Sequence, residues 1–298
     1  MKEADLYFVK NQLIKWYGNS LYESIINSFN CKTKSSIRVN TLKTNKEEIY
    51  SILENNNITF SLLKGMENVI VFNEYDKKIV DNLEIYSSGK IYMQSISSML
   101  PPLVLSPNTK DHILDMCAAP GSKTSQLAAL TNNESCITAC ELNPIRAERL
   151  KYNLSKLGVK RTMILVQDAR QLDDFYRFDK ILLDAPCSGS GTINFTNNNQ
   201  SFSEKLLKKC QHRQITLLKK ALSLLNKNGE LVYSTCSIFK EENEIVIQNC
   251  LNSEYEIVPI RFDNVENLEL LPSLIDGVIT IKPNKYFEGF FIAKIRKK

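Results

Sequence analysis

Short apolar runs and longer amphipathic stretches alternate from about residue 110 to the end of the chain. The runs have the length of buried strands, and the stretches between them repeat apolar residues at the three- and four-residue spacing of a helix face. Such alternation is typical of a largely parallel sheet covered by helices. We predict a doubly wound α/β fold with seven strands, at HILDMCA, CITACEL, MILVQDA, KILLDAP, ELVYSTC, YEIVPI and GFFIAKI.

The stretches between these strands predict helices. Asn143 before Pro144 is a start signal for one of them, and Gly158 is its stop signal. The longest predicted helix runs from Ser203 to Lys227, with basic residues along one face and apolar residues along another. Its basic face fits either a solvated surface or contact with phosphates, and is formed by Lys205, Lys209, Arg213 and Lys220.

The pattern before residue 110 is different and predicts a smaller α/β unit. It starts with a helix to about Ser28 and continues with the strand SIRVNTL, the helix KEEIYSILENN and the strand-like pieces ITFSLL and NVIVF. Pro101, Pro102 and Pro107 mark the expected junction. We therefore predict a small N-terminal subdomain at residues 1–105 and a catalytic domain at residues 106–298.

The first predicted strand of the large sheet runs into the segment DMCAAPGSKT, Asp115 to Thr124. Neither a GxGxxG dinucleotide fingerprint nor the Gly-Lys-Thr of a phosphate loop is present. Small residues in a tight turn let the backbone approach a ligand closely, and Lys123 can meet a carboxylate near a helix start. The predicted cofactor turn consists of Cys117, Ala118, Ala119, Pro120, Gly121, Ser122 and Lys123.

Two further acids follow the next strands. Glu141 lies twenty residues after Gly121, where an acidic side chain commonly binds the hydroxyls of a ribose, and Asp168 follows the third strand, where it can accept from an adenine amino group. Each acid alone could equally be a helix cap or a solvated loop residue. Together the three positions offer contacts for an amino acid, a ribose and an adenine, which predicts S-adenosyl-L-methionine as cofactor.

Cysteines follow the fourth and fifth predicted strands, Cys187 in DAPCSGSGT and Cys236 in LVYSTCS. Neighbouring strands lie about 4.8 Å apart, so paired strands would bring both thiols to one site. Methylation at carbon 5 of cytosine needs a thiolate that adds at carbon 6, a group that stabilises the ring and a base that removes the carbon 5 proton. Asp184 stands beside Cys187 at the strand end. The predicted catalytic residues are Cys236, Cys187 and Asp184.

The segments DMCAAPGSKT, DAPCSGSGT and YSTCS together resemble the Nop/Sun (RsmB/NOP) family of RNA cytosine-5 methyltransferases, and the likeness runs from Ser36 to Lys297. The resemblance implies a class I methyltransferase (Rossmann-like) sheet with an antiparallel last strand, preceded by a small RNA-recognition-like α/β subdomain. It also implies that Cys236 is the nucleophile and that Cys187 assists product release. The implied cofactor contacts are the turn Cys117 to Lys123, Glu141, Asp168 and Asp184, which would also face the target base.

Two departures and two rival functions stand beside this resemblance. After Gly191-Thr192 the family often continues with arginines and a proline, where this chain has INFTNNNQ, and Pro283-Asn284 replaces a common Pro-His. A Pro-Cys alone would also fit a DNA methyltransferase, but the cysteine in TCS favours RNA. The rivals are methylation of DNA or protein on the same fold, and an RNA-binding scaffold without catalysis.

Composition adds limits rather than a function. The 298 residues contain no apolar run of 18 and begin without a secretory pattern, so we expect a cytoplasmic protein without a membrane span. Eight cysteines without a CxxC pair, and His112 and His212 without partners at ligand spacing, predict no metal site and reduced thiols. We expect a monomer.

A net charge of +5 is compatible with a polyanionic partner. Basic residues surround the SIRVNTL strand, and the C-terminal KIRKK adds more. Contacts of this kind to RNA phosphates would make affinity salt-dependent, and the candidates are Lys32, Lys34, Arg38 and Lys43. The expected partner is structured RNA, either rRNA or tRNA, because the target cytosine must leave its stack.

Overall fold

The computed structural model describes residues 2–31, 33–195, 200–262 and 264–298. Lys32 and residues 196–199 of the INFTNNNQ segment lie outside this range. The helices are α1 Glu3–Phe29, α2 Lys46–Asn55, α3 Lys77–Asn82, α4 Glu84–Ser87, α5 Ile96–Leu105, α6 Ser122–Leu130, α7 Pro144–Lys156, α8 Glu204–Leu224 and α9 Glu244–Gln248. The strands are β1 Ser35–Val39, β2 Phe60–Leu63, β3 Met66–Phe72, β4 Ile91–Met93, β5 His112–Asp115, β6 Cys136–Cys140, β7 Thr162–Leu165, β8 Phe178–Asp184, β9 Leu225–Thr235, β10 Tyr255–Ile257, β11 Leu270–Leu271, β12 Ile279–Ile281 and β13 Phe290–Lys297.

The large sheet has the order β11-β12-β13-β9-β8-β5-β6-β7, and β10 also pairs with β13. The pairs β7–β6, β6–β5, β5–β8 and β8–β9 are parallel, whereas β13 runs antiparallel to β9. The predicted doubly wound α/β sheet is thereby confirmed, and so is the implied antiparallel last strand. The carboxyl ends of β5, β6, β7, β8 and β9 meet at one edge, which is where the candidate site lies.

The described part of this sheet contains nine strands where the sequence predicts seven. The two additional strands, β11 and β12, have only two and three residues, too few to produce a recognisable apolar run. They extend the sheet beyond β13. β10 and β12 pair with opposite ends of β13, since Tyr255 lies opposite Lys297 and Ile281 opposite Phe290.

A second, antiparallel sheet with the order β2-β3-β1-β4 forms the small N-terminal unit. Its own core includes Ile37 on β1, Ile49 and Leu53 on α2, and Ile70 on β3. β4 was not predicted, because it is only three residues long. This unit has the α/β composition that the sequence predicts.

The first helix, α1, packs with the part of the chain that forms the large sheet rather than with the small sheet. Its buried Val9 and Leu13 belong to a cluster with Ile238 and Phe239, which follow Cys236. The Tyr17 hydroxyl donates to the carbonyl of Ile238 at 2.7 Å. α1 therefore supports the loop that carries one of the two candidate thiols.

The expected junction at the prolines is a helix, α5, that packs on the large sheet. Pro101 and Pro102 are buried inside it. Pro102 has no N–H to donate to the carbonyl of Ser98, and the side chain of Gln94 donates to that oxygen instead at 3.2 Å. α5 packs on β8, β9 and β13 of the large sheet. The same apolar cluster includes Met66 and Val69 of the small sheet, and the division at residues 105 and 106 stays a prediction.

The expected role of Arg38 in phosphate contact is wrong, because this side chain is buried. It is only 4% exposed and its guanidinium donates to the Gln94 side chain at 3.1 Å and to Ser125 Oγ at 2.7 Å. Burial lowers its pKa to about 10. Arg38 thus joins β1 of the small sheet to α6 of the large unit.

Candidate active site

The two candidate thiols lie in loops that follow adjacent parallel strands. Asp184 at the end of β8 pairs with Ser234 on β9, and each chain then continues to its cysteine. Cys187 Sγ and Cys236 Sγ are 3.2 Å apart, and both residues are partly buried. One pyrimidine ring placed at this edge would be within reach of both sulfurs.

Asp184 lies between the thiol loops and the predicted cofactor turn. It accepts a hydrogen bond from Ser234 Oγ at 2.8 Å and forms a 2.7 Å ion pair with Lys123. Lys123 is only 7% exposed and also donates to Ser98 Oγ at 2.6 Å. The lysine that the sequence assigns to a cofactor carboxylate is therefore paired with the catalytic candidate Asp184.

The turn from Cys117 to Lys123 is held close to the sheet by its backbone. The N–H of Ala118 donates to the carbonyl of Cys140 at 2.9 Å, and that of Gly121 donates to Ala118 at 2.8 Å. Gly121 has a φ of +103°, and a Cβ there would lie 3.0 Å from Leu150 Cδ1. Only glycine fits this conformation without strain, so the turn can present its backbone to a ligand.

Asp115, at the end of β5, anchors the start of α6. Its carboxylate accepts from Thr124 Oγ1 at 2.7 Å. Burial raises its pKa to about 6, although the Thr124 hydrogen bond and the positive charge of Lys123 oppose this shift. Asp115 is therefore a buried acid directly beneath the predicted cofactor turn.

Glu141 follows β6, as predicted, and is only 4% exposed. It accepts from the backbone N–H of Asn143 at 2.9 Å and pairs with Arg146 at 3.3 Å. Arg146 also donates to the carbonyl of Ala119 at 2.8 Å. This arginine thus connects the acid of the second strand with the turn of the first.

Asp168 follows β7 and caps a short 3₁₀ helix at Ala169–Gln171. Its oxygens accept from the backbone N–H of Arg170 at 3.0 Å and from the guanidinium of the same residue at 2.9 Å and 3.0 Å. These hydrogen bonds lower the pKa of Asp168. The helix-cap alternative thus describes this residue as it stands, and an adenine amino group would have to compete with Arg170.

Gly191, four residues after Cys187, is required by close packing of the backbone. Gly191 is buried and its N–H donates to the carbonyl of Cys236 at 2.9 Å. A Cβ on Gly191 would lie 1.9 Å from the carbonyl oxygen of Gly289. Gly191 therefore allows the loop of Cys187 to pack directly against the backbone at Gly289. Behind this contact lies a cavity of about 930 Å³, lined among others by Phe29, Lys34 and Tyr75.

Sequence reasoning missed Glu242, which lies between the two thiol loops. This carboxylate is fully buried and accepts from the backbone N–H of Ser188 at 2.7 Å and from Ser237 Oγ at 2.6 Å. The signal was present in the sequence, because the acidic stretch KEENE follows Cys236 at a distance of four residues.

The surroundings of the Cys187 thiol favour its protonated form. The hydrogen bond with Cys236, burial and the negative charge of Glu242 raise the pKa of Cys187 well above its ordinary value. A thiol with a raised pKa remains protonated at neutral pH and is a proton donor rather than a nucleophile.

Among the residues that the structure describes, no three His, Cys, Asp or Glu side chains are grouped in a way that could hold a metal ion. None of the helices within the described ranges is long and apolar enough to cross a membrane.

The parallel sheet, the acids at successive strand ends and the paired thiols beyond β8 and β9 define a Rossmann-like methyltransferase fold with a dithiol site. Residues 102–296 match the family model of the 16S rRNA methyltransferase RsmB/F. The chain belongs to this family, and the resemblance to Nop/Sun proteins is confirmed.

Individual relatives are similar along most of the chain. It is 35% identical over 280 residues to the 28S rRNA (cytosine-C(5))-methyltransferase of Mus musculus, covering 88% of this chain and 35% of the relative. It is 34% identical over 288 residues to the ribosomal RNA small subunit methyltransferase F of Vibrio parahaemolyticus, covering 92% and 59%. The chain therefore spans less than two thirds of the length of both relatives.

A solved structure shares nearly the whole fold. The methyltransferase homolog protein from Pyrococcus horikoshii superposes with a TM-score of 0.83 at 32% identity, covering 97% of this chain and 94% of that one. The small N-terminal unit is included in this coverage.

Proposed function

We propose that the protein transfers a methyl group from S-adenosyl-L-methionine to carbon 5 of a cytosine in structured RNA, either rRNA or tRNA, through a covalent cysteine–C6 adduct. The observation that carries this proposal is the 3.2 Å contact between Cys187 Sγ and Cys236 Sγ beside Asp184. A single thiol at this position would fit many enzymes. Two thiols fit a reaction that both forms and breaks a carbon–sulfur bond.

In the proposed reaction, the thiolate of Cys236 adds to C6 of the cytosine and pushes electron density to C5. C5 would then take the methyl group that the bound cofactor supplies, and the electron pair of the broken sulfur–methyl bond would stay on the cofactor's sulfur. A base removes the proton from C5, the C5–C6 double bond re-forms and the Cys236 thiolate is expelled. Asp184 faces the target cytosine. Cys187, which is held as a thiol, assists the release of Cys236.

The residues at the sheet edge fit the proposed cofactor. The glycine turn at Gly121 supplies close backbone approach for the methionine part, and Glu141 ends the strand where a ribose is commonly held. Asp168 would bind the adenine if it gives up part of its pairing with Arg170. The cofactor supplies an electrophilic methyl group.

RNA as partner is supported by the names of the rRNA-modifying relatives and by exposed basic residues near the site. Lys205 and Lys209 are exposed on α8, whereas Lys220 of the same predicted face pairs with Asp174 at 2.6 Å. The cavity beside Gly191 and Lys34 would accept a nucleotide next to the target. The mechanism needs reduced thiols, which is consistent with an enzyme working in the cytoplasm. We propose that this enzyme acts as a monomer.

The proposal is tested by incubating the protein with methyl-labelled S-adenosyl-L-methionine and total RNA, followed by digestion to nucleosides. We expect the label in 5-methylcytidine. Label in another nucleoside, or equal transfer to duplex DNA, would contradict the proposal. Sequencing of bisulfite-treated RNA from cells with and without the gene then locates the modified cytosine.

A further inference from the structure

We propose that Glu242 is a positioning residue, which holds the loops of Cys187 and Cys236 at the separation that the reaction requires. This inference rests on the proposed function and extends it. Glu242 forms its hydrogen bonds with the residues that directly follow the two cysteines, Ser188 and Ser237. The side chain is fully buried.

The contacts of Glu242 connect the two loops directly. The residue after Cys187, Ser188, donates to it through its backbone N–H at 2.7 Å and through its hydroxyl. The residue after Cys236, Ser237, donates through Oγ at 2.6 Å. One carboxylate therefore fixes the position that follows each sulfur.

A third element joins the same network. Gln214 on α8 donates to Glu242 at 3.2 Å and to the carbonyl of Pro186 at 3.0 Å, so it binds the residue before Cys187 as well. The two loops are also joined directly by a hydrogen bond of 2.7 Å between Ser190 Oγ and Ser237 Oγ. Removal of the carboxylate would leave these buried donors without an acceptor and would let the two loops move.

The hydrogen-bond partners of Glu242 allow its hydrogen bonding to be tested separately from its negative charge. On Oε1 the partners are the backbone N–H of Ser188 and the side-chain nitrogen of Gln214, and both of these groups can only donate. On Oε2 the partners are the hydroxyls of Ser188 and Ser237, which can also accept. Glutamine can therefore replace all four hydrogen bonds with its amide nitrogen facing the hydroxyls, whereas alanine replaces none.

The test compares Glu242→Gln, Glu242→Ala and the control Glu244→Gln. Glu244 is equally buried, but it pairs with Lys240 at 2.8 Å and accepts from Leu274, away from the thiol loops. The control thus disturbs a buried ion pair of the same segment. Ser237→Ala serves as a milder variant should Glu242→Ala fail to fold.

The first readout needs no activity. A reagent that bridges neighbouring thiols, such as dibromobimane, should link Cys187 to Cys236 in the wild-type protein and in Glu242→Gln and Glu244→Gln, as mapped by mass spectrometry. Bridging should fall about tenfold in Glu242→Ala and less in Ser237→Ala. Unchanged bridging in both of these variants would overturn the proposal.

The second readout separates positioning from general stability. We expect kcat to fall about 100-fold in Glu242→Ala with the KM for RNA nearly unchanged, and to recover most of its value in Glu242→Gln. Parallel losses in Glu242→Ala and Glu244→Gln that follow their melting temperatures would show a merely structural role and overturn the proposal. Should the wild-type protein transfer no methyl group to RNA, the proposed function fails, and the bridging result alone decides on Glu242.

Discussion

At the scale of single residues, the neighbours of Cys187 favour the protonated form of its thiol. The loop of Cys187 is hydrogen-bonded to the buried carboxylate of Glu242. The pKa of Cys187 is raised by the hydrogen bond to Cys236, by burial and by the negative charge of Glu242. The protonated form of Cys187 is consistent with its proposed part in product release. In the proposed reaction Cys187 stays protonated while Cys236 attacks carbon 6.

The two roles predict opposite effects of two matched substitutions. In Cys187→Ala we expect an RNA–protein adduct that persists on denaturing gels, because the nucleophile adds but the release step fails. In Cys236→Ala we expect no adduct and a fall in methyl transfer of about 10³-fold or more. The reverse pattern on the gels would show that the nucleophile is Cys187.

Several side chains have partners that no spacing in the sequence reveals. The sequence predicts Lys123, Glu141 and Asp168 at strand ends, and the fold places them there. It does not predict the ion pair between Lys123 and Asp184 or the ion pair between Arg170 and Asp168, since both depend on side-chain direction. Burial of Arg38 also depends on contacts between distant segments.

At the scale of elements, pattern and structure agree where a strand is long and buried. β8, β9 and β13 were predicted from their apolar runs, whereas the short β11 and β12 were missed. The prolines of α5 suggested a break, but its residues are apolar on nearly all sides and are buried against the sheet. Burial there outweighs the loss of two helix hydrogen bonds.

Glu230 on β9 connects three strands of the large sheet. It lies within 2.6 Å of Lys180 on β8, 2.9 Å of Lys294 and 2.8 Å of Arg296 on β13. Burial opposes its ionisation, but the hydrogen bonds from these three cations outweigh burial and lower the pKa of Glu230 to about 2. The ionised carboxylate therefore stabilises the folded state.

This arrangement predicts a pH-dependent effect of Glu230→Gln. The folded-state pKa lies below the ordinary value of 4.5, so the stabilisation is fully present above pH 4.5 and is lost as the pH falls toward 2. After allowance for solvent screening, we expect the variant to lose about 2 kcal/mol of unfolding free energy at pH 7. Urea denaturation should show the difference from wild type narrowing below pH 4.5. A difference that is constant with pH would contradict the assignment, and Glu256→Gln is the exposed control.

At the scale of the whole molecule, the small sheet and the large sheet are joined through buried polar contacts as well as apolar ones. Arg38 leaves β1 and donates to Ser125 Oγ on α6 at 2.7 Å, while Asn40 donates to the carbonyl of Leu157 beyond α7 at 2.8 Å. The N-terminal helix α1 packs beside the loop of Cys236. The N-terminal unit thus has a fixed orientation relative to the candidate active site, and an RNA held by both units would meet the thiols in one register.

Arg38→Ala tests this coupling. The substitution leaves Gln94 and Ser125 without their buried partner, and we expect a loss of about 3 kcal/mol in unfolding free energy. Because the contact joins two units, amide hydrogens of β1 and β3 should exchange faster while those of β8 and β9 keep their protection. Lys43→Ala is the control, since Lys43 also connects the units through carbonyls of Ser88 and Lys156 but is exposed. Equal loss of protection in both sheets would mean that Arg38 stabilises the molecule as one body, and no loss would mean that the apolar contacts alone fix the orientation of the N-terminal unit.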